Sequence, residues 1–254
     1  MPAQTLRPDW PAPPGVVALM SLRGGGVSVA PWDSLNLSHG VGDERSAVER
    51  NRARFTAALG AQPVWMRQVH GIEVLRLTQD DQQGPIRTAD AAWTTEPGIA
   101  CTVGAADCMP VLLALRDGSA VAAAHAGWRG LAAGVLEATV QAVFQGTGAS
   151  AGDLIAWLGP CISPRQFEVG ADVLAAFGES AETADPAYFV ARPRSDGDQR
   201  WLANLPQLAR ERLQTAGLTT ITDATACTVE DPSRFFSFRR DGITGRMAAA
   251  IWRG

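Results

Sequence analysis

The sequence contains no lysine, a single tyrosine, only three histidines and four cysteines, and no two of the cysteines stand in a Cys-x-x-Cys spacing. All 22 basic residues are therefore arginine, set against 26 acids, for a net charge of -4. Neutralising a nucleic-acid backbone requires a basic face, so this balance argues against a general nucleic-acid binder. The arginine fork suits bidentate recognition of carboxylate or phosphate, although a GC-rich genome would produce the same bias without functional meaning. A membrane span is also missing: the best apolar run, Gly98 to Leu115, carries Asp107, and a bilayer needs about 20 apolar residues. The proline-rich start, Met1 to Val16, has neither a basic n-region nor an apolar h-region, so it does not read as a secretory signal. A cytoplasmic protein is expected. In that reducing compartment Cys101, Cys108, Cys161 and Cys227 read as free thiols, ligands or nucleophiles rather than disulfides.

What is present is an ordinary globular composition, 46% hydrophobic and 19% charged, with no linker-like run. One α/β (α+β) domain over residues 1–254 is expected, with a central β core flanked by helices and residues 1–14 as a loosely ordered extension. Short β-type runs are Val16 to Leu22, Glu73 to Leu77, Ala89 to Thr95, Ile99 to Val103, Val111 to Leu115, Ala120 to His125, Leu154 to Leu158, Thr220 to Asp223 and Ala248 to Trp252. Helices are expected over Glu44 to Leu59 after an Asp43 cap, Leu131 to Phe144, Ala171 to Phe177, and Leu205 to Ala216 after an Asn204 cap. The polar, aperiodic stretch Ala181 to Asp198 reads as a surface excursion.

Two of the three histidines stand at element boundaries, where side chains project into clefts. His70 ends Trp65-Met66-Arg67-Gln68-Val69-His70-Gly71, read as a strand running into a glycine. His125 opens His125-Ala126-Gly127-Trp128-Arg129-Gly130, where an Ala-rich strand meets a glycine-bearing turn. Cys108 lies in Ala106-Asp107-Cys108-Met109-Pro110, between two apolar strands. Two imidazoles and a thiolate make a three-ligand zinc site with its fourth position open, as in catalytic zinc. Spacing leaves other readings open: two hydrogen-bonded histidines beside a buried thiol, or a metal-free pair with Cys108 as nucleophile and His125 as its base. The other cysteines read as structural.

Several blocks then carry a resemblance. Asp33-Ser34-Leu35-Asn36-Leu37, Gly42-Asp43, Asn51-Arg52, Gln68-Val69-His70-Gly71, Ala106-Asp107-Cys108-Met109-Pro110-Val111, His125-Ala126-Gly127-Trp128-Arg129-Gly130, Leu158-Gly159-Pro160, Phe167-Glu168-Val169-Gly170 and Phe235-Phe236-Ser237-Phe238-Arg239-Arg240-Asp241-Gly242 come in the order seen in the YfiH-like family. That family is described variously as laccase-domain or polyphenol oxidase proteins, purine nucleoside phosphorylases and peptidoglycan editing factor. The resemblance spans most of the chain.

It implies a zinc held by His70, Cys108 and His125, which would also be the catalytic residues. It further implies phosphorolysis of adenosine, inosine, guanosine and methylthioadenosine, with adenosine deamination beside it, so that purine nucleosides and phosphate are the expected partners. An alternative within the family is a hydrolase that removes misincorporated serine from a UDP-MurNAc peptidoglycan precursor; a non-enzymatic metal-binding module is another. Copper could take the site, since it binds N and S donors more tightly than zinc, with weak polyphenol oxidase activity. A true multicopper laccase needs on the order of ten imidazoles, and three are present.

Around the ion, Arg129 is the first candidate for phosphate or ribose contact, with Arg239, Arg240, Arg52 and Arg67 behind it, and Asn36 is a candidate for the base or sugar. Zinc deaminases carry a His-x-Glu pattern that is missing here, which leaves Glu73, Asp107 and Glu168 as candidate proton carriers. Trp65, Trp93, Trp128, Trp157 and Trp252 read mainly as core, with Trp128 also a candidate to border the pocket and stack on a purine. Two departures from the family pattern stand out. His39 is displaced from the place of the family's histidine before Gly-Asp and is assigned no role. Phe238 replaces a tyrosine, so that hydroxyl is not essential here.

Overall fold

A computed structural model describes residues 2–254, and its architecture is four-layered: helix, sheet, sheet, helices. The first sheet has the order β1 (Thr5–Leu6), β2 (Val16–Ser21), β14 (Met247–Arg253), β6 (Ile99–Ala105), β3 (Gln62–Val64). The second runs β13 (Thr220–Asp223), β9 (Leu154–Leu158), β7 (Met109–Leu115), β8 (Val121–Ala126), β5 (Ala91–Thr94), β4 (Val74–Arg76). A small third sheet is formed by β10 (Glu168–Val169), β12 (Trp201–Ala203) and β11 (Phe189–Ala191).

Alternation along the strands sorts the core. On β7, Leu112 and Ala114 meet Cys101 and Val103 of β6 between the two large sheets, while Val111 and Leu113 turn to the opposite side. There they pack against α3 (Val135–Thr147), α4 (Ala171–Ala176) and α5 (Leu205–Thr215). The outer face of the first sheet, with Ala248 and Ala250, is covered by Phe55 and Leu59 of α1 (Arg45–Leu59) and by Leu35 and Leu37. Strands buried on both faces need apolar residues at every position, which is why β7 reads as one unbroken run. Burying a single leucine such as Leu112 contributes about 1.5 to 3 kcal/mol.

The structure departs from the sequence expectations at definite places. The helix expected over Leu131 to Phe144 is two, α2 (Trp128–Ala133) and α3, separated by Gly134 at φ 103°. Gly130 lies inside α2, where a Cβ would come 3.0 Å from the Gly71 carbonyl oxygen, so the close approach needs a glycine. Gly146 continues α3, which ends only at Gly148. The cap of α1 is Glu44; Asp43 instead accepts from Ser28 and Asn36. Trp65 to His70 is not a strand: β3 stops at Val64, and the Gln68 amide then bonds both the N–H and the carbonyl of Gly104. The stretch 181–198 is largely exposed, but Phe189 is buried and β11 joins the third sheet. Within 1–14, β1 pairs with β2, and Leu6 and Trp10 pack on the inter-sheet core. Among the described residues no helix is long and apolar enough to cross a membrane.

Candidate metal centre

The chain leaves the first sheet at Ala105 and enters the second at Met109, so Ala106-Asp107-Cys108 is the corner that joins them. Asp107 takes a left-handed φ of 87°, a conformation uncommon outside glycine, asparagine and aspartate. Its carboxylate stays inside the corner, accepting from Thr228 Oγ1 at 2.6 Å and from the Arg239 amide at 2.6 Å. That clamp presents the next side chain, Cys108, to the cleft.

His70 is aimed by its backbone. It has φ 60°, and the amides of Val69, His70 and Gly71 all donate to the Asp90 carboxylate at 3.0, 2.9 and 2.7 Å. Successive N–H groups closing on one anion form a nest. Asp90, fully buried at the edge of β5, also takes the Nδ1 hydrogen of His125 at 2.9 Å. With that proton held on Nδ1, His125 offers Nε2 as its lone-pair nitrogen.

One ligand atom from each of His70, Cys108 and His125 lies within 4.8 Å of the others, and Cys108 Sγ is 3.6 Å from His70 Nε2. Ligand bonds of about 2.0 to 2.3 Å in a tetrahedron place donors roughly 3.3 to 3.8 Å apart, so this donor set fits one metal ion after small side-chain adjustments. His70 is exposed, Cys108 half-buried and His125 buried, which leaves the site open on the His70 side. Gly127 makes the approach feasible: a Cβ there would sit 2.7 Å from His70 Cδ2 and 2.8 Å from Cys108 Sγ.

The electrostatics match a thiolate site. Burial works against charge on Cys108, yet His125 and His70 outweigh it and bring the thiol down to about 6. Burial likewise opposes charge on His125, but the Cys108 thiolate and Asp90 raise it to about 9. Asp90 stays below the ordinary carboxylate range despite its burial, through His125 and the backbone amides. By contrast, burial pushes Cys101 and Cys161 well up.

The remaining sequence candidates are distributed differently. Asn36 is fully buried and its side chain is spent: Nδ2 donates to Ser38 O and Asp43, and Oδ1 accepts from the Ser38 and Arg246 amides. It shapes a loop and has no donor left for a base or sugar. Arg239 bonds the carbonyls of Gln166 and Glu168, Arg240 those of Thr228 and Phe235, and Arg67 the Thr88 hydroxyl. Arg52 lies 4.0 Å over the Trp65 ring. Arg129 is exposed and stacks 4.2 Å over half-buried Trp128. Glu168 is paired with Arg194, Asp107 is clamped as described, and Glu73 is exposed. His39 is exposed, beside Arg52 and Arg45.

Sequence reading missed Asp90, Gln68, Gly127 and Arg246. For Asp90 a signal existed: one acid amid Ala89, Ala91 and Ala92 in an apolar strand must be paired once buried. Gln68 and Gly127 fall inside the blocks quoted around His70 and His125 without a role read for either, and nothing local marks Arg246.

The fold and the three-donor corner define a class. Residues 17–254 match the family described as multi-copper polyphenol oxidoreductase laccase, and the chain belongs to this family, the YfiH-like one. Three histidines do not meet the donor demand of a multicopper centre. Among relatives, it is 47% identical over 247 residues to purine nucleoside phosphorylase PA4543 of Pseudomonas aeruginosa, covering 97% of each chain. It is also 47% identical to purine nucleoside phosphorylase YfiH of Escherichia coli, over 96% of this chain and 97% of that one. The crystal structure of Neisseria meningitidis protein NMB0706 superposes with a TM-score of 0.89 at 42% identity, covering 98% and 99% of the two chains. YlmD from Geobacillus stearothermophilus gives 0.89 at 31%, over 98% and 96%.

Proposed function

We propose that this protein is a zinc-dependent purine nucleoside phosphorylase acting on adenosine, inosine, guanosine and methylthioadenosine, with adenosine deamination as a side activity. The observation that carries the reading is the convergence of His70, Cys108 and His125 on one point with an open side, in a chain nearly half identical, end to end, to proteins named purine nucleoside phosphorylase.

His70 Nε2, Cys108 Sγ and His125 Nε2 would hold the ion. When bound, zinc supplies a Lewis acid that stabilises negative charge or acidifies water. The chain's own residues do the rest. Asp90 keeps a proton on His125 Nδ1 and fixes the His70 loop, so the donors are set before substrate arrives. Val69 and Ile72 flank His70 along the chain and Phe238 precedes Arg239, and all three are exposed apolar side chains, the kind of surface a purine face takes. In phosphorolysis a phosphate oxygen bonds to the anomeric carbon as the glycosidic C–N bond breaks. The electron pair leaves on the purine nitrogen, which then takes a proton.

The test is to incubate the purified protein with adenosine, with and without phosphate, and to resolve the bases by chromatography. Adenine and ribose 1-phosphate should appear only with phosphate, and inosine in either case. No product above a Cys108→Ala control would overturn the reading.

A further inference from the structure

Arg246 stands where the ladder between β14 and β6 ends. Met247 pairs with Ala105, so Arg246 comes one residue past the last rung, opposite the corner Ala106-Asp107-Cys108. Its backbone is pinned on both sides, the amide donating to Asn36 Oδ1 at 2.9 Å and the carbonyl accepting from Leu37 at 3.1 Å. Its guanidinium lies 5.7 Å from the centre of the Phe238 ring. Asp107 and Cys108 are the groups whose negative charge reaches it, opposing the downward push of burial.

The side chain is half-buried, and among the described residues it has no carboxylate partner. Only Nη1 is used, donating to the carbonyls of Thr244 and Gly245 at 3.0 Å each. Nε and Nη2, which together form the bidentate edge of an arginine, make no hydrogen bond among the described residues. A partly desolvated guanidinium costs free energy unless its donors are met. The competing arginines differ: Arg240 is spent on backbone carbonyls and on Asp241, Arg239 is exposed with its Nη1 on the carbonyls of Gln166 and Glu168, and Arg129 is exposed on the Trp128 ring with nothing to aim it.

We propose that the free Nε/Nη2 fork of Arg246, beside the Cys108 corner, is the oxyanion subsite and binds inorganic phosphate as co-substrate. This deepens the phosphorylase reading and rests on it for the identity of the anion. A fork matches two phosphate oxygens with parallel charge-assisted hydrogen bonds. The two Nη1 bonds to the Thr244 and Gly245 carbonyls hold the guanidinium in place beside the Phe238 ring.

The zinc-loaded protein, Arg246→Gln and Arg246→Lys are compared by thermal unfolding across a phosphate titration, and by separate KM values for phosphate and adenosine; circular dichroism verifies folding. Phosphate should raise the wild-type Tm. Arg246→Gln should lose that rise and increase the phosphate KM about tenfold or more, with the adenosine KM within about twofold. Arg246→Lys should fall between, keeping charge without the fork. A phosphate-induced Tm rise that survives in Arg246→Gln overturns the proposal, as does a KM change confined to adenosine or a wild type that phosphate does not stabilise. A rise with adenosine 5′-monophosphate but not with phosphate overturns the commitment to the free anion. Should the wild type release no base while its phosphate-dependent Tm rise vanishes in Arg246→Gln, the phosphorylase reading fails and the oxyanion subsite stands.

Discussion

Asp90 and His125, both buried, are joined by a 2.9 Å contact between Oδ1 and Nδ1, and that same oxygen receives the His70 amide at 2.9 Å. One carboxylate thus sets the ring of one candidate ligand and the backbone of another. Cutting this link should loosen the site more than the fold. Asp90→Asn is expected to weaken zinc binding by about 10- to 100-fold and to cost about 1 to 3 kcal/mol of stability. Competition with a chromophoric chelator and urea unfolding measure the two. Wild-type zinc affinity in the variant would remove Asp90 from its positioning role.

Thiolate absorbance in the metal-free protein should titrate near pH 6 for Cys108, with Cys101 and Cys161 silent through neutrality because burial raises both. The sign follows from the direction of each shift. The depressed Cys108 contributes stability that is complete above its ordinary value of 9.0 and is lost as pH falls through about 6. The elevated His125 contributes stability that is complete below 6.5 and is lost as pH rises through about 9. Their ion pair therefore supports the metal-free fold best between about 6 and 9. A Cys108 titration at the position of a free thiol would contradict this coupling.

Gly127→Ala separates site from scaffold. The backbone at Gly127 has φ -72°, which alanine accepts, but the new methyl would sit 2.7 Å from His70 Cδ2 and 2.8 Å from Cys108 Sγ. Zinc content after dialysis should drop well below one equivalent while the far-ultraviolet spectrum is retained. Full zinc occupancy with unchanged affinity would show that the ligands do not need this close approach.

Gly146→Ala sets two effects against each other. In a helix interior alanine is favoured over glycine by about 1 kcal/mol, but the added Cβ would lie 1.9 Å from Cη2 of Trp93, and overpacking a core costs about 1 to 3 kcal/mol. Sterics should win, since Trp93 is itself almost fully buried and has little room to move. A variant more stable to urea than the parent would reverse that judgement.

Stripping the metal with a chelator should abolish turnover and leave the fold standing. The two large sheets bury their shared core without any contribution from His70 or Cys108, unlike small zinc modules whose folding energy is metal binding. Circular dichroism before and after chelation decides it; cooperative unfolding on chelation would make the ion structural.

The strands that carry the core were legible because their signal is local. Leu154–Leu158 and Thr220–Asp223 appear at their expected bounds, since apolar period and flanking turn residues act over a few positions. Helix α5 likewise follows from Asn204, whose side chain accepts from the Gln207 amide. The strand expected before His70 is absent for a non-local reason: Gln68 spends its amide on Gly104, 36 residues away.

The sequence by itself determined which chemistry is available: two histidines in glycine-flanked segments, one thiol between apolar strands, and runs apolar enough to be buried on both faces. Only the tertiary structure decided which groups meet. It brought Asp90 to the His125 ring and to the His70 backbone, turned Asn36 inward, spent Arg240 on carbonyls and left the half-buried Arg246 fork free. Hydrophobic periodicity is written along the chain, whereas pairing of a buried charge depends on which distant segments the sheets place side by side.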